Sequence, residues 1–175
     1  MIARCFLALE LGDEARRAAD DALRSLDGDV VRKAKPGSLH ITIKFLGQVD
    51  VDTVGREVLA VAAPIVARSP RLALGTGRVE GFPSAARARV VVLECDGADA
   101  RIAELAARAD EAATACGVAR EERAFRPHVT LARSKNDFDL RKIAARFAPR
   151  PLGFAGKLVL FESAASGYVP IDSVG

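Results

Sequence analysis

The sequence has 175 residues; half are hydrophobic and 28% are charged, with both signs interspersed. That balance excludes a disordered tail and supplies a core for one compact domain, or for two small lobes sharing a cleft. The formal net charge of +3 permits an anionic substrate without requiring one, and no apolar run approaches the roughly 20 residues of a membrane span.

Residues 1–10 are too short and too soon acidic for a secretory signal, so a cytoplasmic protein without membrane contact is expected. In chain order, residues 4–9 read as a strand and 13–26 as a helix with Asp13 as its N-cap. Residues 38–46 alternate strictly and read as a strand. Residues 52–67 have a helical pattern stopped by Pro70. Strands are expected over 71–80 and 88–94, joined by a turn around Gly81, Phe82, Pro83 and Ser84. Residues 99–116 form an amphipathic helix: Ile102, Leu105, Ala106, Ala109 and Ala113 recur at helical spacing, and Gly117 closes it. A strand over 126–133, a short helix over 140–147, and strands over 156–162 and 168–171 complete the chain. Residues 32–37 and 134–137 read as loops. Cys5, Cys95 and Cys116 lack metal-ligand spacing and are expected to fill core space in a reducing compartment.

Single helices mixed with tightly joined strand pairs argue for an α+β fold with antiparallel sheets. No stretch reads as a linker, so residues 1–175 form a single domain. Leu39-His40-Ile41-Thr42-Ile43 and Pro127-His128-Val129-Thr130-Leu131 share one pattern 88 positions apart. This repeat points to two similar half-units related by a pseudo-two-fold axis.

The same repeat carries the chemistry. The chain has only two histidines, and each is followed two places on by one of its five threonines, a coincidence of about one in a thousand for shuffled residues. Residues i and i+2 of a strand share a face. His40 and Thr42 therefore point one way while Ile41 and Ile43 point to the core, and His128 and Thr130 stand likewise against Val129 and Leu131. Two imidazoles and two hydroxyls converging in a cleft suit in-line displacement at phosphorus. One imidazole accepts a proton from the attacking water, and the other protonates the leaving oxygen. An ordinary imidazole pKa of about 6.5 lets one be neutral and one charged near pH 7. The hydroxyls donate to the non-bridging oxygens.

No third ligand of the kind a catalytic metal needs stands inside either motif, so no metal and no cofactor is expected. Lys44 continues the His40 face and is a phosphate-binding candidate. Arg126 and Arg133 bracket the second motif; strict alternation puts Arg126 on the face of His128, and a bulge would bring Arg133 there too. Phe45 and Phe82 are candidates for stacking on a base, against the ordinary reading of a core phenylalanine.

At these residues the sequence resembles the RNA 2′,3′-cyclic phosphodiesterases, also called 2′-5′ RNA ligases, of the two-histidine phosphoesterase superfamily. The likeness spans nearly the whole chain: Arg4-Cys5-Phe6-Leu7-Ala8-Leu9, then residues 39–47, then Gly81-Phe82-Pro83 with Ala88-Arg89-Val90-Val91-Val92, then Phe125-Arg126-Pro127-His128-Val129-Thr130-Leu131-Ala132-Arg133, and the closing residues 163–168. It departs where Val31-Arg32-Lys33 replaces a tryptophan-bearing segment, and in the short 163–168 stretch. The resemblance implies a bilobal α+β fold, with two antiparallel sheets flanked by helices around a central groove and one motif on each side. It implies hydrolysis of RNA ends or nucleotides carrying a 2′,3′-cyclic phosphate to 2′-phosphomonoesters, with weak ligation in reverse. It implies His40 as the acid for the 3′-oxygen and His128 as the base for water. A monomer is expected. Two alternatives stay open from the residues: a phosphodiesterase for another cyclic or 2′-5′ linkage, and a non-catalytic RNA-binding module.

Overall fold

The computed structural model describes residues 1–68 and 71–175, so Pro70 lies outside the described residues. Strand β1 (Ile2–Leu11) leads into helix α1 (Asp13–Ser25), the two-residue β2 (Arg32–Lys33), a single tight turn (Pro36–Ser38) and β3 (His40–Asp50). A wide helical turn (Val51–Gly55) opens α2 (Arg56–Arg68). A hairpin of β4 (Thr76–Ser84) and β5 (Arg87–Asp96) follows, then α3 (Ala100–Ala115) and β6 (His128–Phe138). The one-turn α4 (Arg141–Ala144), β7 (Arg150–Pro151), β8 (Ala155–Ala164) and β9 (Gly167–Val174) close the chain.

Local chemistry explains most of these elements. In α1, Ala15, Ala18, Ala19, Ala22 and Leu23 make a buried face of small side chains, so the helix can lie close to the sheet. Asp13 is its first residue and not its cap. Gly12 takes the cap position and donates to the Phe154 carbonyl at 3.1 Å, where a Cβ would stand 2.3 Å from that oxygen. Asp13 and Glu14 instead serve the helix by placing negative charge in its first turn. Asp99 caps α3 by accepting from Arg101 N at 2.9 Å, and Gly117 turns the chain away with φ +88°.

The strands form one antiparallel sheet in the order β7-β4-β5-β6-β3-β1-β8-β9, with β2 paired to β6. The expectation of two separate sheets is thereby corrected. The halves join through one ladder pair, Ile41 opposite Val129. Each motif strand is the inner edge of its half, and pairing the two edges satisfies backbone groups that would otherwise be open.

Outward from that pair the halves match. One runs β3-β1-β8-β9 and the other β6-β5-β4-β7. In each, the motif strand pairs with the strand that precedes it through a helix: β1 through α1, and β5 through α3. The helices are exchanged. Besides touching β1, α1 packs on β6, β4 and β7, whereas α3 packs on β3 and joins α2, which covers β8 and β9.

Of the two expected loops, 134–137 is strand, and 32–37 is strand only at Arg32 and Lys33 before the turn at Pro36–Ser38. Arg32 and Lys33 pair with Arg133 and Ala132, filling the edge of β6 that β3 leaves open. Residues 134–137 prolong β6, whose end pairs Phe138 with Ala88. The hairpin turn falls on Ala85 and Ala86, because residues 81–84 stay paired with β5. Gly81 permits this, since a Cβ there would stand 2.8 Å from the Ala88 Cβ. The core joins Leu7, Leu9, Ile41, Leu93 and Leu131 of the strands to Ile102 and Leu105 of α3. Cys5 and Cys95 are buried in it, but Cys116, at the end of α3, is exposed. Among the described residues, no helix is long and apolar enough to cross a membrane.

Candidate active site

The junction between the halves assembles the site. Ile41 and Val129 are fully buried partners in antiparallel strands. One step to either side, that register sets His40 across from Thr130 and Thr42 across from His128. All four side chains are half-buried, and they flank the joining pair on the face away from the core. The expected convergence of the two motifs is present.

Each histidine is held in the same way. The Nδ1 of His40 lies 2.8 Å from the Ser38 carbonyl oxygen, and the Nδ1 of His128 lies 2.7 Å from that of Arg126. A carbonyl oxygen only accepts, so Nδ1 carries the proton in both rings. The Nε2 atoms are thereby left for proton transfer. His40 Nε2 meets Thr42 Oγ1 at 3.0 Å; in the neutral ring the hydroxyl donates to it.

The surroundings of the two rings differ. His40 packs on Phe6 at 4.9 Å between centroids and on the edge of Tyr168 at 5.2 Å, with Phe161 stacked behind Phe6 at 5.3 Å. Burial among these rings lowers the His40 pKa below the ordinary imidazole value, the hydrogen bond to Ser38 opposes it, and charge on His128 lowers it further. Among the described residues His128 meets a single ring, Phe82, edge to face at 5.8 Å.

A β-bulge follows each threonine. Ala8 pairs with Thr42 but Leu7 with Lys44, leaving Ile43 as the extra residue. Val92 pairs with Thr130 but Val91 with Ala132, leaving Leu131 extra. Each bulge reverses the alternation. Lys44 therefore turns into the core, where it is 7% exposed, and donates to Asp110 Oδ1 at 2.7 Å and the Ala119 carbonyl at 3.0 Å. It is not brought to the groove. Phe45 takes the groove face instead and is 64% exposed. The matching bulge brings Arg133 to the face of His128 and Thr130.

Arg126 stands beside His128, but its guanidinium is held by Glu94, with Nε 3.0 Å from Oε1, and lies over the Phe82 ring. Arg32 was not singled out by the sequence. It pairs directly with Arg133 and shares its face. The one acidic residue of β6, Asp137, is already held by Arg87 and Arg89. Phe6 and Glu94 were also missed, because their places beside the histidines depend on strand partners that no local spacing reveals. Phe6 shares the core-like pattern of its neighbours, and only its register opposite Phe45 puts it under His40.

A cavity of about 480 Å³ opens beside His40 and is walled in part by Phe161, Tyr168 and Pro170. A larger depression of about 610 Å³ lies at the Lys44 end of β3, against the loop after α3 and away from His40. Among the described residues, no group of three or more His, Cys, Asp or Glu side chains is placed to hold a metal ion.

The family model of the 2′-5′ RNA ligase superfamily matches residues 12–161, a span that contains both motifs. The chain belongs to this superfamily. The resemblance carried by the two motifs is thus borne out. An RNA 2′,3′-cyclic phosphodiesterase of Aeropyrum pernix is 30% identical over 108 residues, which cover 62% of this chain and 60% of that protein. The structure of E. coli LigT complexed with 3′-AMP matches with a TM-score of 0.74 at 24% identity, covering 99% of this chain and 97% of that one. TT0787 of Thermus thermophilus matches at 0.68 and 24% identity, covering 98% and 96%. At those identities the likeness to these two structures concerns the fold alone.

Proposed function

We propose that this chain hydrolyses the 2′,3′-cyclic phosphate ends of RNA to 2′-phosphomonoesters, with His40 and His128 as general acid and base. The observation that carries this reading is the joining pair Ile41–Val129, which sets a histidine opposite a threonine on each side of the junction. Superfamily membership and the name of the Aeropyrum pernix relative support the substrate class.

The cyclic phosphate lies between the two Nε2 atoms. His128 Nε2 takes a proton from water as its oxygen bonds to phosphorus. The bond from phosphorus to the 3′-oxygen breaks on the opposite side, and His40 Nε2 supplies that oxygen with its proton. The Thr42 and Thr130 hydroxyls donate to the non-bridging oxygens, for which Thr42 gives up its bond to His40. Arg133 adds positive charge at the groove. Ligation is the same displacement, slow, with the 5′-hydroxyl of a second RNA end in place of water: its oxygen bonds to phosphorus as the 3′-oxygen leaves, and a 2′-5′ linkage forms. The protein works as a cytoplasmic monomer, without metal or cofactor.

A panel of nucleoside 2′,3′-cyclic phosphates, cyclic-ended RNA and 2′-5′ dinucleotides, assayed in EDTA with products identified, tests the proposal. The expected product is a 2′-phosphate from every cyclic substrate. Formation of 3′-phosphates, or cleavage confined to 2′-5′ dinucleotides, would overturn it.

A further inference from the structure

The cavity beside His40 has chemistry that the hydrolytic step does not use. Its volume of about 480 Å³ lies within the range of small-molecule sites. Phe161, Tyr168 and Pro170 give it flat apolar walls, while Glu10, Arg16 and Asp20 bring charge to it. Glu10 stands directly opposite His40 in the register of β1 and β3, so its carboxylate is on the groove face. Gly156 keeps room for that side chain, since a Cβ there would stand 3.1 Å from the Glu10 Cβ. Among the described residues Glu10 forms no ion pair, so its acceptors are available to a ligand.

We propose that this cavity holds the base of the terminal nucleoside and that Glu10, with Arg16, makes it selective for guanine. The proposal rests on the hydrolytic reading: a 3′-oxygen leaving toward His40 puts the ribose and its base on the His40 side. Flat apolar walls take a base by stacking. Guanine alone among the four bases presents two adjacent donors, N1–H and N2–H, and a carboxylate accepts both. It also presents O6 and N7 as adjacent acceptors, which suit the two parallel donors of an arginine. Adenine would set its N1 acceptor against the Glu10 carboxylate. A site built to bond a donor discriminates strongly against a ligand that lacks it.

The test separates recognition from turnover. Binding of 2′-GMP, 2′-AMP, 2′-UMP and 2′-CMP is measured by calorimetry on full-length His128→Ala protein, which forms the cavity without His128. The expected result is 2′-GMP tighter than 2′-AMP by about tenfold or more. Adding Glu10→Gln should remove that preference and leave 2′-UMP within about twofold, which also reports an intact fold. Equal binding of all four, binding of none, or an equal loss for all four in Glu10→Gln would overturn the pocket. Hydrolysis of cyclic substrates by the unaltered protein is scored separately, so the pocket can fail while the chemistry stands, and the reverse.

Discussion

Phe45 and Arg133 hold equivalent places in the two halves. Each stands five residues after its motif histidine, and each reaches the groove face because a bulge follows the threonine. One half thus offers a ring and the other a guanidinium. Arg133→Ala should lower kcat/KM about 10–100-fold, the size of one charge-assisted hydrogen bond to phosphate, with little change in Tm. Arg32→Ala should leave Tm unchanged or slightly raised, because it relieves two like charges set directly opposite each other. Steady-state kinetics beside thermal melts check both. A large drop in Tm for Arg133→Ala, with kinetics intact, would make this side chain structural.

Removal of either histidine should be severe. His40→Ala and His128→Ala should each reduce turnover about 10²–10⁴-fold. The double variant should fall far less than the product of the two, since acid and base act in one step. Near-normal turnover in either single variant would end the two-histidine mechanism.

The pH profile should reflect the packing of His40 among aromatic rings. As the acid, His40 must be protonated, so kcat/KM falls as pH rises through its pKa. Burial holds that pKa below the ordinary value. The alkaline limb of kcat/KM should therefore lie below about 6.5, with an optimum on the acid side of neutrality. The phosphate anion favours the charged ring, so the alkaline limb of kcat should lie higher. His128→Ala should lose the acid-side limb and keep the alkaline one. Loss of the alkaline limb instead would exchange the roles of the two histidines.

Lys44 and Asp110 should matter to the fold and not to the reaction. The pair is mostly buried at 2.7 Å, and Asp110 also accepts from Glu121 N at 2.9 Å. Burial raises the Asp110 pKa, but Lys44 and Glu121 outweigh it, and the net shift is downward. Lys44→Met leaves that carboxylate without its cation, a loss of about 3 kcal/mol or roughly 10 °C in Tm. The contribution is present above the unfolded carboxylate pKa and is lost as pH falls through the lowered folded value. A tenfold drop in kcat/KM for Lys44→Met with Tm preserved would show that Lys44 reaches the substrate.

The four motif residues were legible because two strand periods suffice to sort His40 and Thr42 from Ile41 and Ile43. Helix α3 was legible from its buried stripe, and its Asp99 cap fits the rule for such positions. Lys44 was misplaced because a single extra residue, Ile43, reverses the side chains that follow it, Lys44 and Phe45, and no propensity marks where that residue sits. The single sheet was likewise hidden. It depends on one contact between strands 88 residues apart, which local patterning does not encode. Arg32 looked like loop because two residues are too few to show alternation.

The exchange of α1 and α3 interlocks the halves. A fragment ending after α2 would carry the first motif, but its α1 would lose β6, β4 and β7, the strands its alanine face packs against. The complementary fragment would hold α3 without β3. Neither piece has a closed core, so residues 1–70 and 71–175 expressed separately should be unfolded, and mixing them should restore circular-dichroism melting and activity together. Independent folding of either piece would refute this interdependence. A half-length ancestor with this architecture could have closed its core only by pairing with a second copy of itself, and two histidines would then have met at the two-fold axis from the start.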